Sequence, residues 1–220
     1  MKPSYYNVNI NITIVIDVFR AFTTASYVLN AYPSSYILTN KSDVILQLAN
    51  DYKNPLFIGK PEIGSNFKYD IPNSPTRVKD INITDQNILH RTEAGAKGLL
   101  MAKDSDIVLA ASFVNANATV NYIKKLDNTN IEIMPMGHEA TTPSLEDDVC
   151  ASYIKALINN EKFDLNLHKE EIKEGPGKYF FSNDQWQYPY DDFDLCLELD
   201  KFDFAIKAEV HDDYSVLTRC

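Results

Sequence analysis

"IVIDVFRAFTT", residues 14–24, is an apolar run that stops on Asp17 and is followed at once by Arg20, Thr23 and Thr24. It belongs to the longer run "NITIVIDV" at 11–18, which is continuously apolar at its centre rather than alternating. That pattern suits a strand buried on both faces, as in a parallel sheet. Two readings of the strand end stay open. In one, Asp17 merely closes the strand and Thr23 or Thr24 caps the next helix. In the other, Asp17 is a metal-binding carboxylate beside an anion-binding arginine and hydroxyls.

Outward from this stretch, similar short runs recur: "SSYILT" (34–39), "PLFIG" (55–59), "QNILHR" (86–91), "SDIVLAAS" (105–112), "IEIMPMG" (131–137) and "FDFAIKAEV" (202–210). Helix-like segments lie between them at 23–31, 41–51, 93–103, 115–126 and 144–159. Regular alternation of the two predicts an α/β sandwich with a mainly parallel, mixed central sheet, the last strand being the addition of mixed direction. No linker, repeat or low-complexity block divides the chain, so residues 1–220 read as a single domain. "EGPGKYFFSNDQWQYPYDD", 174–192, reads as a surface loop.

The bulk numbers narrow the function. The chain has 220 residues and a formal net charge of -10. Duplex DNA and anionic membranes call for a basic face, so neither nucleic acid nor membrane is expected as a partner. A small anion remains compatible, since a few local cations or a bound metal can hold it. A homodimer is also compatible. No apolar run approaches the roughly 18 residues of a membrane span. The N-terminus has no cleavable signal pattern, and the three cysteines have no metal-type spacing. Together these predict a reduced, cytoplasmic protein.

Ligands of open α/β sheets bind beyond the carboxyl ends of the strands. Asp17 and Arg20, Gly59 and Lys60, Arg91 and Thr92, Ser112 and Asn115, and Gly137 and His138 all occupy such places. In "TTPSLEDDVC" a helix start carries Glu146, Asp147 and Asp148. Acids there compensate the helix dipole at about 0.3–1 kcal/mol each. Three in a row exceed that need and crowd like charges, which a cation shared with Asp17 would relieve. "NFKYDIPNSPTRV" at 66–78 reads as a structural turn or as a rigid loop that presents Asn73 and Ser74. Gly95 would let a ligand approach backbone N–H groups, and His138 reads as a general acid or a plain loop residue.

Taken in order, Asp-Val-x-Arg-Ala-x-Thr-Thr at 17–24, Asn-Ser-Pro at 73–75, Arg-Thr-x-Ala-Gly at 91–95, Ser-Phe-x-Asn-Ala at 112–116, Glu-Asp-Asp at 146–148 and "DLCLELDKFDFAIKAE" at 194–209 resemble the 2-phosphosulfolactate phosphatase family. The resemblance implies a three-layer α/β/α fold and a Mg2+-dependent hydrolase of a small anionic phosphoester. The family's named reaction yields sulfolactate, on the way to coenzyme M. By the same resemblance Asp17, Arg20, Arg91 and Glu146 are the catalytic set. Thr23, Thr24, Asn73, Ser74, Thr92, Asn115 and His138 bind substrate, and Asp17, Glu146 and Asp147 hold the metal. The chain departs from the family where Gly-Glu-Arg usually follows the third strand: here stand Gly59, Lys60 and Pro61. Pro72 and Ala96 replace a usual glycine and threonine. These changes are expected to retune the site, and a non-catalytic homologue that binds a small anion is the alternative they suggest.

Overall fold

The computed structural model describes residues 9–59 and 67–220. Strand β1, Ile10–Ile16, is buried over its last five residues and leads into helix α1, Ala21–Asn30. There follow β2 (Ser35–Thr39), α2 (Ser42–Ala49), β3 (Leu56–Gly59), α3 (Pro75–Lys79), β4 (Asn87–Arg91) and α4 (Ala94–Met101). Next come β5 (Ile107–Ala111), a 3-10 turn at Phe113–Asn115, α5 (Ala116–Ile123), β6 (Thr129–Pro135) and α6 (Leu145–Asn159). The chain ends with α7 (Asn166–Glu174), a 3-10 turn at Pro176–Phe181, α8 (Tyr190–Cys196), β7 (Ile206–Val210) and β8 (Ser215–Arg219).

The eight strands of the described residues form one sheet in the order β3-β4-β2-β8-β7-β5-β1-β6. The period-two alternation of β1 divides its side chains between two layers. Val15 joins Phe22 and Val28 of α1, Val78 of α3 and Leu99 of α4 on one face. Ile14 and Ile16 join Val120 of α5, Ile154 of α6 and Ile172 of α7 on the other. The architecture is the three-layer α/β/α sandwich with a mixed sheet that the sequence led one to expect.

Its centre differs from a doubly wound sheet. β1 pairs in parallel with β5 and β6, and β4 pairs in parallel with β2 and β3. Between the two trios lies the β7–β8 hairpin, antiparallel within itself, to β5 and to β2. Three successive reversals make the trios run in opposite senses. The carboxyl ends of β3 and β4 therefore do not share an edge with those of β1, β5 and β6, which corrects the expectation of one common carboxyl edge.

Two further readings change. Residues 174–192 are in the main the surface segment expected, and 181–186 are exposed, but the segment is not all loop: it holds the 3-10 turn and the start of α8, with Phe180 and Asp192 buried. Of its aromatic residues Phe180 joins the α6–α7 core and Tyr188 packs against it, whereas Tyr179, Trp186 and Tyr190 are exposed. The Lys60 and Pro61 departure lies outside the described residues.

The hairpin is what joins the two trios. Ile206 of β7 is fully buried between β5 and β8. Ile206→Ala is expected to lower unfolding stability by about 2–5 kcal/mol, the range for emptying a core position. Denaturant unfolding checks this, and a loss below about 0.5 kcal/mol, the scale of a surface change, would contradict the placement.

Candidate functional site

Asp17 leaves the end of β1 almost fully buried, 5% exposed. Its Oδ1 accepts the N–H of Ala21 at 3.1 Å and its Oδ2 the N–H of Gly95 at 2.7 Å. The carboxylate thus meets the first turns of α1 and α4, where free N–H groups and the positive dipole ends favour an anion. A Cβ at Gly95 would lie 2.9 Å from Asp17 Oδ2, so the close approach depends on glycine there. This is how the segment after β4 reaches the site: α4 begins against Asp17, although β4 runs against β1.

A second buried carboxylate stands beside it. Asp147, in the first turn of α6, accepts the N–H of Val18 at 2.8 Å and of Gly137 at 2.8 Å. Gly137 has φ of +65°, and a Cβ there would lie 2.1 Å from the Thr142 carbonyl oxygen. Glycine is needed for that N–H to turn toward the acid. Glu146, also buried, accepts a hydrogen bond from Ser144 Oγ, whereas Asp148 faces solvent.

These acids disturb one another. Burial pushes Asp17 up to about 6, against the lowering pull of the Ala21 and Gly95 N–H groups and the Arg20 charge. Burial, with the Asp17 and Asp148 charges added, pushes Glu146 up to about 7. Asp147 is pushed well above the ordinary range by burial first, then by Asp17 and Glu146. Burial raises all three carboxyls, and the Asp17 charge adds to the rise at Glu146 and Asp147.

Does this set fit a magnesium ion? Among the described residues, no group of three His, Cys, Asp or Glu side chains is arranged as a ready metal cluster. Mg2+ does not require one. It is bound through one or two carboxylates and keeps several waters. Each oxygen of Asp17 and Asp147 that accepts an N–H retains a further lone pair. The hard oxygen donors, with these spare lone pairs, fit the ion, and Asp17 and Asp147 or Glu146 are the residues that would hold it.

Arg20, 7% exposed, sits at the start of α1. Its Nη1 donates to Asp192 Oδ2 at 2.7 Å and to the Gln187 carbonyl at 2.7 Å. Its guanidinium carbon lies 4.9 Å from the centre of the Tyr188 ring and 5.7 Å from that of Phe180. Ser74 joins the same knot, its Oγ donating to Asp192 Oδ1 at 2.9 Å. Asn73 beside it has a buried Oδ1 without a partner among the described residues.

The remaining residues singled out from sequence divide. Thr23 is buried and donates to the Val18 carbonyl, and Thr24 is buried with its Oγ1 unpartnered. Neither caps α1: the helix begins at Ala21, and Asp17 supplies the acceptor a capping threonine would have given. The Asn115 side chain is spent locally, accepting from the Ser112 N–H and donating to the Ala110 carbonyl. Arg91 pairs with Glu93 at 3.0 Å, and Thr92 binds the Thr39 carbonyl through its N–H. His138 is exposed in the turn after β6.

Sequence reasoning missed His90. It is fully buried in β4, with Nδ1 2.6 Å from the Tyr36 hydroxyl and Nε2 unpartnered. Burial, with the Arg20 charge as a smaller cause, pushes it down to about 3. It is therefore a neutral imidazole at physiological pH.

Comparison with known proteins points one way. A family model described as 2-phosphosulpholactate phosphatase matches residues 2–175. A Bacillus subtilis protein named probable 2-phosphosulfolactate phosphatase is 28% identical over 95% of this chain and 92% of its own. Proteins of the same name from Thermoplasma volcanium and a Synechocystis strain are 28% and 26% identical. They align over 88% and 72% of this chain, and over 87% and 66% of their own.

His90 gives this region a measurable signature. Its folded value, about 3, lies below the ordinary 6.5, so the unfolded chain binds the extra proton between those limits. Stability is therefore lost as pH falls through that window, by up to about 1.4 kcal/mol per pH unit from this residue. His90→Gln, which can still bond Tyr36, should lack that component. Unfolding free energies of both proteins between pH 7 and 4 check it, and parallel curves would contradict it.

Proposed function

Because the chain belongs to the 2-phosphosulpholactate phosphatase family, we propose that it is a Mg2+-dependent phosphatase of a small anionic phosphomonoester, with 2-phosphosulfolactate as the leading substrate. The observation that carries the reading is the pairing of a buried carboxylate set, Asp17, Glu146 and Asp147, with a guanidinium held at the same end of β1. Sulfolactate as product, a place in coenzyme M formation, a cytoplasmic location and a single-domain chain go with this proposal.

The parts have separate tasks. Both hydrogen bonds of the Arg20 side chain among the described residues leave from Nη1. Nη2 and Nε remain for a phosphate, sulfonate or carboxylate, which arginine takes in a two-pronged manner. The first turn of α4, whose Gly95 N–H is taken by Asp17, adds a favourable dipole end. Asp17 and its acidic neighbours would hold a magnesium ion, which supplies charge neutralisation at the phosphoryl oxygens and lowers the pKa of bound water. Burial of Asp17 and Arg20 keeps bulk water out, so each charge acts at a lower effective dielectric. Direct attack by water and a covalent route through Asp17 or a serine are both compatible with these placements.

The test is release of inorganic phosphate from 2-phosphosulfolactate and from an aryl phosphate, with magnesium and after chelation. Activity that needs magnesium is expected. Asp17→Asn should lower kcat on the order of 10²–10³-fold or more, the scale of removing one electrostatic group from a reaction site. Tight binding of 2-phosphosulfolactate without release, in the presence of magnesium, would replace this reading with that of a non-catalytic anion binder.

A further inference from the structure

We propose that Asp192 is the positioning residue of the site: it fixes the Arg20 guanidinium and the Asn-Ser-Pro segment in one arrangement, so the C-terminal residues 176–196 complete the anion pocket. The proposal rests on the phosphatase reading above, because Arg20 is taken as the residue that meets the substrate anion.

Asp192 lies in the first turn of α8 and is 0% exposed. Three donors reach it. Oδ2 accepts from Arg20 Nη1 at 2.7 Å. Oδ1 accepts from Ser74 Oγ at 2.9 Å and from the Thr76 N–H at 2.9 Å. Ser74 Oγ in turn accepts the Arg77 N–H at 3.3 Å and so caps α3. One carboxylate thus ties the start of α1, the start of α3 and α8.

The stability of such a pair does not explain it. A buried ion pair gains little over well-packed apolar residues, because both charges lose their water. What the pair supplies is a fixed orientation. Arg20 is held on one side by Asp192 and the Gln187 carbonyl, and the rings of Tyr188 and Phe180 flank it at 4.9 and 5.7 Å. All four groups come from residues past 175, where the family-model match ends. A guanidinium so clamped at Nη1 presents Nε and Nη2 without spending side-chain entropy when an anion arrives.

Asp192→Asn separates the roles. Its Oδ1 can still accept from Ser74 and Thr76, while its Nδ2 meets Arg20 donor to donor. The α3 start survives and the arginine clamp does not. The experiment titrates inorganic phosphate into the magnesium-supplemented protein by calorimetry, for wild type, Asp192→Asn, Arg20→Lys and the double variant. Thermal melts confirm folding, and kcat and KM are read in parallel. Phosphate affinity should fall about 10–100-fold in Asp192→Asn, as for other outer-shell partners. The double variant should bind no worse than Arg20→Lys, because Asp192 acts through Arg20. Additive losses, or a folded Asp192→Asn with affinity within about twofold of wild type, well short of that range, would overturn the proposal.

If wild type neither binds phosphate nor hydrolyses substrate, the phosphatase reading fails by itself. The clamp is then read from the 15N side-chain resonances of Arg20. Separate Nη signals in wild type that merge in Asp192→Asn support it, and identical spectra overturn it.

Discussion

The structure turns on a carboxylate that has to be buried. Asp17 ends β1, and its two oxygens take N–H groups from the first turns of α1 and α4. Both helices pack on the face of β1 that carries Val15. The acid thus fixes where that layer starts, and Gly95 is small because the acid must come close. Asp147 does the corresponding work on the other layer, tying α6 to Val18 after β1 and to Gly137 after β6. Two helical layers are registered on one strand end by two acids. The electrostatic consequence is a group of carboxyls pushed upward by burial, with the Asp17 charge adding to the rise at Glu146 and Asp147. The crowding of these carboxyls is what a cation would relieve.

The second constraint is the late-arriving hairpin. β7 and β8 occupy the centre of the sheet although they are the last strands in the chain. Each trio of parallel strands buries its inner edge only when the hairpin is in place, so contacts far apart in sequence are needed before the sheet closes. The same C-terminal stretch delivers α8, and with it Asp192, to Arg20. Completion of the fold and the clamp on Arg20 therefore depend on one part of the chain.

Much of this was legible in the residues. The apolar run ending in Asp17 gave β1, and the alternation of short apolar runs with helical segments gave the sandwich. The acids at 146–147 stood out because three in a row exceed capping. What was not legible depended on distant partners. Ser215–Arg219 is short and mixed, and becomes a strand because β2 and β7 flank it. The reversed trios follow from that insertion and from no local signal. In "YPYDDFDLC" only packing distinguishes the buried Asp192 from the exposed Asp191 and Asp194. His90 read as part of an apolar strand, and its partner Tyr36 lies 54 residues away. Thr23 and Thr24 looked like caps because the sequence does not reveal that Asp17 itself reaches back to Ala21.

The central claim is that Asp17 and Asp147 are buried together in order to share a cation. Calorimetric titration of Mg2+ into the metal-free protein tests it without reference to any substrate. One ion per chain is expected, with binding lost in Asp17→Asn and in Asp147→Asn while circular dichroism shows both variants folded. Unchanged magnesium binding in the two folded variants, or no binding by the unaltered protein, would contradict it.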